Sequence, residues 1–191
     1  MKPFTHLVLS LGLLTALAPS AFAQSYVLGT GPGKGCYEKA LFGNNGSQEA
    51  IEICNTALAG ALSRTNRGST HNNRAILLMR KGDLEAAKSD YEQAIKLRPE
   101  LIEIQINYAA VLMRLNDSDA ALDALNMAID SEIPTKRAFV FYNRSIIHED
   151  RQNFTQAYKD LKSALDINPD WPLALNALER FKSTSKKQVN R

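Results

Sequence analysis

Three prolines, Pro99, Pro134 and Pro169, stand 35 residues apart, and that interval constrains the chain more than any other feature. A fixed period of this length marks stacked supersecondary units, each too small to bury its apolar face alone. With the prolines in register, Ala87, Tyr91 and Ala94 align with Ala121, Leu125 and Ala128, and with Ala157, Leu161 and Ala164. Asn73, Asn107 and Asn143 recur ahead of these sets, each followed within two residues by a small residue: Ala75, Ala109 or Ser145. Small residues let two antiparallel helices approach closely, and Tyr91, Leu125 or Leu161 then fills the gap to the next pair. Proline cannot continue a helix and biases the residue before it away from helical geometry. Turns between paired helices are expected at Lys81-Gly82-Asp83, Leu115-Asn116-Asp117 and Arg151-Gln152-Asn153, with Asp83, Asp117 (or Ser118) and Asn153 as N-caps.

A weaker copy precedes these three. Its first helix is expected over Gly33 to Phe42, its turn at 43–46 and its second helix from about Ser47 to Leu62. Ala50, Cys54 and Ala57 take the places of Ala87, Tyr91 and Ala94. After Pro169 comes one further helix, about Trp171 to Ser183, with Leu175 and Leu178 inward and a polar outer face, as a repeat array needs at its end. The basic stretch 184–191 reads as a frayed tail.

These residues resemble the tetratricopeptide repeat family, with its unit of about 34 residues and its small, large and proline positions. The best copy runs from Asn72-Asn73-Arg74-Ala75 to Pro99. It departs from the family pattern in two places. The tryptophan position holds His71, Gln105 and Phe141, and the leucine position holds Arg74, Tyr108 and Arg144. The resemblance implies an all-α fold, an α-solenoid of three to four helix-turn-helix units, with a degenerate repeat at 33–67 and repeats plus capping helix at 68–183.

The first 23 residues read as a secretory signal. Lys2 supplies the charge, Leu7 to Leu17 the apolar stretch, and Ala21-Phe22-Ala23 the small residues before a cut ahead of Gln24. The apolar stretch is too short to span a bilayer, which takes about 20 apolar residues. Residues 24–32 are then a Gly-rich leader, and the mature protein is expected in a periplasm or outside the cell. Cys36 and Cys54 are the chain's two cysteines. In an exported chain they invite a disulfide stapling the first repeat. Two buried thiols and a metal pair are the alternatives, and the second lacks the usual three or four ligands.

Nothing in the sequence assembles a catalytic, metal or cofactor site. The glycines of 29–35 surround Lys34, but Gly35 stands where a phosphate loop needs Ser or Thr. A net charge of +3 is too balanced for a dedicated nucleic-acid binder. His148, with Glu149 and Asp150 beside it, is the one candidate for an enzyme reading, and a purely structural module acting through its convex face is another.

In the resembled family the first helix of each repeat lines a concave groove that holds peptides. Carried over position by position, that groove comprises Ser69, Asn72, Asn73, Ile76, Met79 and Arg80; then Glu103, Ile106, Asn107, Ala110, Met113 and Arg114; then Phe139, Tyr142, Asn143, Ile146, Glu149 and Asp150. Asn73, Asn107 and Asn143 would form a ladder able to pair with a peptide backbone, or would bond within the repeats. The implied function is a scaffold or adaptor for a polypeptide partner. The sequence names neither that partner nor an oligomeric state.

Overall fold

The computed structural model of the chain describes residues 31–43, 46–130 and 132–189, with side chains to Phe181. The signal at 1–23, most of the leader at 24–32, Asn44-Asn45 of the first turn and the last two residues lie outside the described residues. Among the described residues nine helices run in order: α1 Gly33–Phe42, α2 Gln48–Ala59, α3 Arg64–Lys81, α4 Leu84–Leu97, α5 Ile102–Arg114, α6 Ser118–Ala128, α7 Pro134–Asp150, α8 Phe154–Ile167 and α9 Pro172–Val189. Among the described residues there is no strand and no helix long and apolar enough to cross a membrane.

Helices pair as α1·α2, α3·α4, α5·α6 and α7·α8, and each pair packs on the next. The aligned small and large residues make the core. Ala75, Ala87, Tyr91 and Ala94, and their counterparts Ala109, Ala121, Leu125, Ala128, Ala157, Leu161 and Ala164, are all fully buried. The three turns share one conformation, because Gly82, Asn116 and Gln152 all take positive φ (98°, 62° and 59°). At Gly82 this left-handed residue closes α3, its N–H bonding to the Leu78 and Met79 carbonyls.

Several expected boundaries move. Ser47 caps α2 through the Ala50 N–H, and the helix stops at Gly60, short of Leu62. Ser63 caps α3 in the same way, so that helix opens at Arg64 and the division after residue 67 falls inside it. Pro134 is the first residue of α7, where its missing N–H costs nothing. Of the three expected N-caps only Asp117 makes the side-chain bond, to Ala120 N–H; Asp83 pairs instead with Lys81 at 2.8 Å. The last helix runs to Val189, past Ser183, since no Gly or Pro follows Pro172 to break it. Leu178 points inward, but Leu175 is 41% exposed, so the outer face of α9 is not wholly polar.

Cys36 of α1 and Cys54 of α2 form a disulfide with a Cα–Cα distance of 4.7 Å, and both are fully buried. The two glycines flanking Lys34 serve packing. Gly33 faces the Thr70 hydroxyl of α3 and Gly35 faces Ile53 of α2, at distances where a side chain would crowd them.

The arginines that displace the family's leucine have a structural partner. Arg74 grips Asp90 of α4 with Nε and Nη2 (2.6 and 2.7 Å) and reaches Asn55 of α2 at 2.8 Å. Arg144 repeats this on Asp160 of α8 (2.8 and 2.6 Å) and Asn126 of α6 at 3.1 Å. Each guanidinium thus ties three helices from two successive repeats. His71 adds a third bond to Asp90 at 2.8 Å. Burial alone would raise the Asp90 carboxyl, but the hydrogen bonds and charges of Arg74 and His71 outweigh it and hold its pKa below the ordinary value.

Two measurements test these links. Closing a loop across a sequence separation of 18 is worth about 3 kcal/mol in the chain-entropy model. The double variant Cys36→Ala/Cys54→Ala should therefore melt about 10 °C lower by circular dichroism. Asp90→Asn should lose about 3 kcal/mol at pH 7, the low end for breaking a buried pair, because Arg74 keeps some contact with water. A depressed carboxyl stabilises above its unfolded pKa of about 3.9, and that stabilisation is lost as pH falls through the lower folded value. The gap between variant and wild type in urea melts should therefore shrink below about pH 3. An undiminished gap would mean that the ionised pair is not its source.

Candidate functional site

The first helices α3, α5 and α7 carry the expected groove positions, and the structure sorts them into a closed half and an open half. In α3, Ser69, Asn72, Asn73, Ile76 and Met79 are all buried. Asn72 donates to the Asn73 side chain at 3.3 Å, Asn107 of α5 donates to Asn72 at 3.3 Å, and Arg98 donates to the Ser69 hydroxyl at 3.0 Å. The asparagines therefore do not stand open as a ladder. Neighbouring first helices lie side by side and close over Asn73, Asn107 and Asn143, whose exposures are 0%, 1% and 0%. Ile106 and Ala110 of α5 are buried with them.

The two equivalent arginines are also committed to structure. Arg80 donates to the Ala40 and Gly43 carbonyls at the end of α1 (2.6 and 2.5 Å). Arg114 donates to the Met79 carbonyl near the end of α3 at 2.6 Å. Each reaches back one repeat to carbonyls in the last turn of a helix or just past it. Both side chains thus bind the scaffold itself, which sequence position alone did not reveal.

Apart from Arg80 and Glu103, which are half-buried, and Arg114, which is exposed, what remains accessible lies towards the C-terminal end. Met113, Phe139, Ile146 and Glu149 are half-buried, and Asp150 is exposed. Phe139, Tyr142, Ile146 and Glu149 follow helical spacing along one face of α7. Trp171, just ahead of α9, packs edge-on against Phe139 and tilted against Tyr142, both at 4.8 Å between ring centroids. Burial pushes the Tyr142 phenol above its ordinary pKa. Glu149 meets Arg180 of α9 at 3.3 Å, and Glu103 of α5 pairs with Lys136 of α7. Beneath this surface, both polar atoms of the Asn143 side chain and the Asn107 Oδ1 are buried without a hydrogen-bond partner. A buried amide left unpaired costs about 1–3 kcal/mol, so these are the least satisfied polar groups of the face.

His148 sits on α7 one turn after Arg144, with its Nε2 3.8 Å from Asp160, too far for a hydrogen bond. Burial first, then the Arg144 and Arg151 charges, lowers its pKa against the opposing pull of Asp160. The Asp160 carboxylate is already gripped by Arg144.

Comparison with known proteins agrees with this architecture. Residues 68–101 match the tetratricopeptide repeat model. Human protein O-mannosyl-transferase TMTC3 is 32% identical over 93 residues, 48% of this chain and 10% of the relative. A lipoprotein NlpI homolog of Haemophilus influenzae is 27% identical over 114 residues, 57% of this chain and 36% of the relative. The chain thus spans about a tenth and about a third of these relatives. Among solved structures, YrrB, described as a TPR protein with an unusual peptide-binding site, superposes with a TM-score of 0.65 at 21% identity, covering 76% of this chain and 71% of that one. MamA from Desulfovibrio magneticus RS-1 gives 0.64 at 17% identity, covering 75% and 78%. Residues 68–101 thus carry a tetratricopeptide repeat, and the paired-helix solenoid around them has the fold of the TPR protein YrrB.

Proposed function

We propose that the protein is an exported scaffold that binds a polypeptide partner along its concave face, with the footprint centred on the third and fourth repeats. The observation that carries this reading is the contrast between the two halves of the face. The α3 half is closed by hydrogen bonds, whereas the α5–α7 half presents Met113, Phe139 and Ile146 above the unpaired Asn143 amide and the unpaired Asn107 Oδ1. Partly exposed apolar side chains rimmed by polar ones suit a protein contact, and methionine adapts to varied apolar surfaces. Glu149 and Asp150 make one end of the strip acidic, which favours a partner segment with a basic residue next to an apolar one.

YrrB, with its peptide-binding site, offers a precedent for this use of the fold. Export rests on the signal-like start, on the buried disulfide, which suits an oxidising compartment, and on the likeness to a lipoprotein homolog. We read the protein as a binding module and not an enzyme, because its polar clusters bind one another and its open face is apolar.

A pull-down from envelope extract with the tagged protein tests the assignment. The double variant Met113→Glu/Phe139→Glu should lose the partner, whereas Lys159→Glu, an exposed position on α8, should retain it. All three proteins should give the same circular dichroism spectrum. A partner retained by the double variant, or lost with Lys159→Glu alone, would move the binding surface off the concave face.

A further inference from the structure

The two buried aspartates allow one repeat to be compared with another. Asp90 receives three side-chain hydrogen bonds, two from Arg74 and one from the His71 ring at 2.8 Å. Asp160 receives the same two from Arg144. In the fourth repeat, however, Phe141 stands at the position of His71, and its ring lies against the Arg144 guanidinium, 5.6 Å from centroid to Cζ. His148 approaches Asp160 from the next turn of α7 and stops at 3.8 Å. Beside it lies a solvent-open cavity of about 370 Å³ lined by Leu122, Asn126, Arg144, His148, Asn153 and Gln156, comparable in volume to small-molecule sites.

The lining selects by charge and by hydrogen bonding. Arg144 is neutralised by Asp160 behind it, and Arg151 nearby is paired with Asp119 at 2.5 Å. An entering anion would find no uncommitted cation and would face the Asp160 carboxylate. An entering cation would face Arg144. His148, its pKa lowered by burial, is neutral at pH 7, with one N–H and one lone pair to offer. Asn153 and Gln156 each carry a donor and an acceptor, and Asn126, whose Oδ1 accepts from Arg144 at 3.1 Å, offers its amide N–H groups. Asn153 occupies the N-cap of α8 without using its side chain as a cap, so its amide is available. Leu122 gives one apolar wall.

We propose that this cavity, formed by α6, α7 and α8, binds a neutral hydroxyl-rich ligand about the size of one sugar residue. Hydroxyls give and accept hydrogen bonds at close spacing, which matches three carboxamides and an imidazole around a charge-cancelled pair. The site is independent of the concave face and stands or falls separately from it.

The test is a titration of the full chain with glucose, mannose, galactose and N-acetylglucosamine, with acetate and acetamide alongside. Binding is read from the ¹H–¹⁵N NMR signals of the Asn153 and Gln156 side-chain amides. At least one sugar should give saturable shifts. In the double variant Asn153→Ala/Gln156→Ala, followed through the Arg144 Nε–H signal, its dissociation constant should rise about tenfold or more, roughly 1.4 kcal/mol. Both positions are exposed, and circular dichroism checks that the variant is folded. No saturation by any sugar would overturn the proposal, as would equal affinity in the double variant. Tighter binding of acetate would make the cavity an anion site, and binding of acetamide alone would make it a socket for a partner's amide side chain. Either result also rejects the sugar assignment.

Discussion

No helix pair in this chain can bury its own apolar surface, and the architecture follows from that constraint. The cores show it directly. The first joins α1 to α4 with Ile104, Ala110 and Val111 of α5; the second joins α5 and α6 with Val140 and Ile147 of α7; the third joins α7 and α8 with Trp171, Ala174 and Leu178. Each core is closed by the first helix of the following unit, so stability passes along the array by nearest-neighbour contact. The alanines at the pair interfaces make this possible, because helices that meet through Cβ alone leave room for Tyr91, Leu125 or Leu161 to reach forward. Among the described residues no helix precedes the N-terminal unit. Its second helix carries Cys54 where the other units carry Tyr or Leu, and the bond to Cys36 supplies covalently what burial does not.

Polar side chains are the second device linking units. Replacing the family's leucine with Arg74 and Arg144 exchanges an apolar contact for a buried ion pair, whose net gain in stability is small, because desolvation offsets much of the attraction. What the exchange adds is geometry. A guanidinium forked on a carboxylate and reaching an amide of the preceding unit has one good orientation, so it fixes the angle between successive repeats more tightly than a leucine would. Arg80 and Arg114 act in the same sense on the other side of the first helices, each holding carbonyls near the end of the helix one repeat earlier. The third repeat lacks the ion pair. There Tyr108 donates to Glu92 at 3.1 Å and packs against Tyr91, with its phenol pushed up to about 12 mainly by burial.

The architecture was legible in the sequence because it depends on a residue's size and period, which a string of letters displays. The proline interval, the recurrent alanines and the positive-φ turns at 82, 116 and 152 all follow the repeat. The candidate site was less legible, because it depends on which partner each polar group finds. Asn73, Asn107 and Arg80 occupy positions that suit a ligand as well as they suit a neighbouring helix, and only the distances decide. One signal was available and unused: Asp90 lies 16 residues after Arg74, as Asp160 lies 16 after Arg144. Paired opposite charges recurring at one spacing, at positions a repeat normally keeps apolar, indicate an internal ion pair. The shift of the open surface to the fourth repeat had no such signature, because it follows from which units closed themselves.

That asymmetry bears on how a regular array acquires a specific function. A solenoid of identical units would present the same surface several times and bind with no preferred register. Here the first two units are tied down by a disulfide, two asparagine bonds and two backward-reaching arginines, which leave their concave positions little freedom. The last unit lacks most of these ties: Asp150 stands where Arg80 and Arg114 stand, and Asn143 finds no partner. A concave strip that is rigid at one end and under-satisfied at the other gives an incoming chain one place where its hydrogen bonds and apolar side chains add something the protein does not already have. Register is then set by what the scaffold leaves unfinished in its last repeat, while the recurring periodic positions serve the scaffold itself.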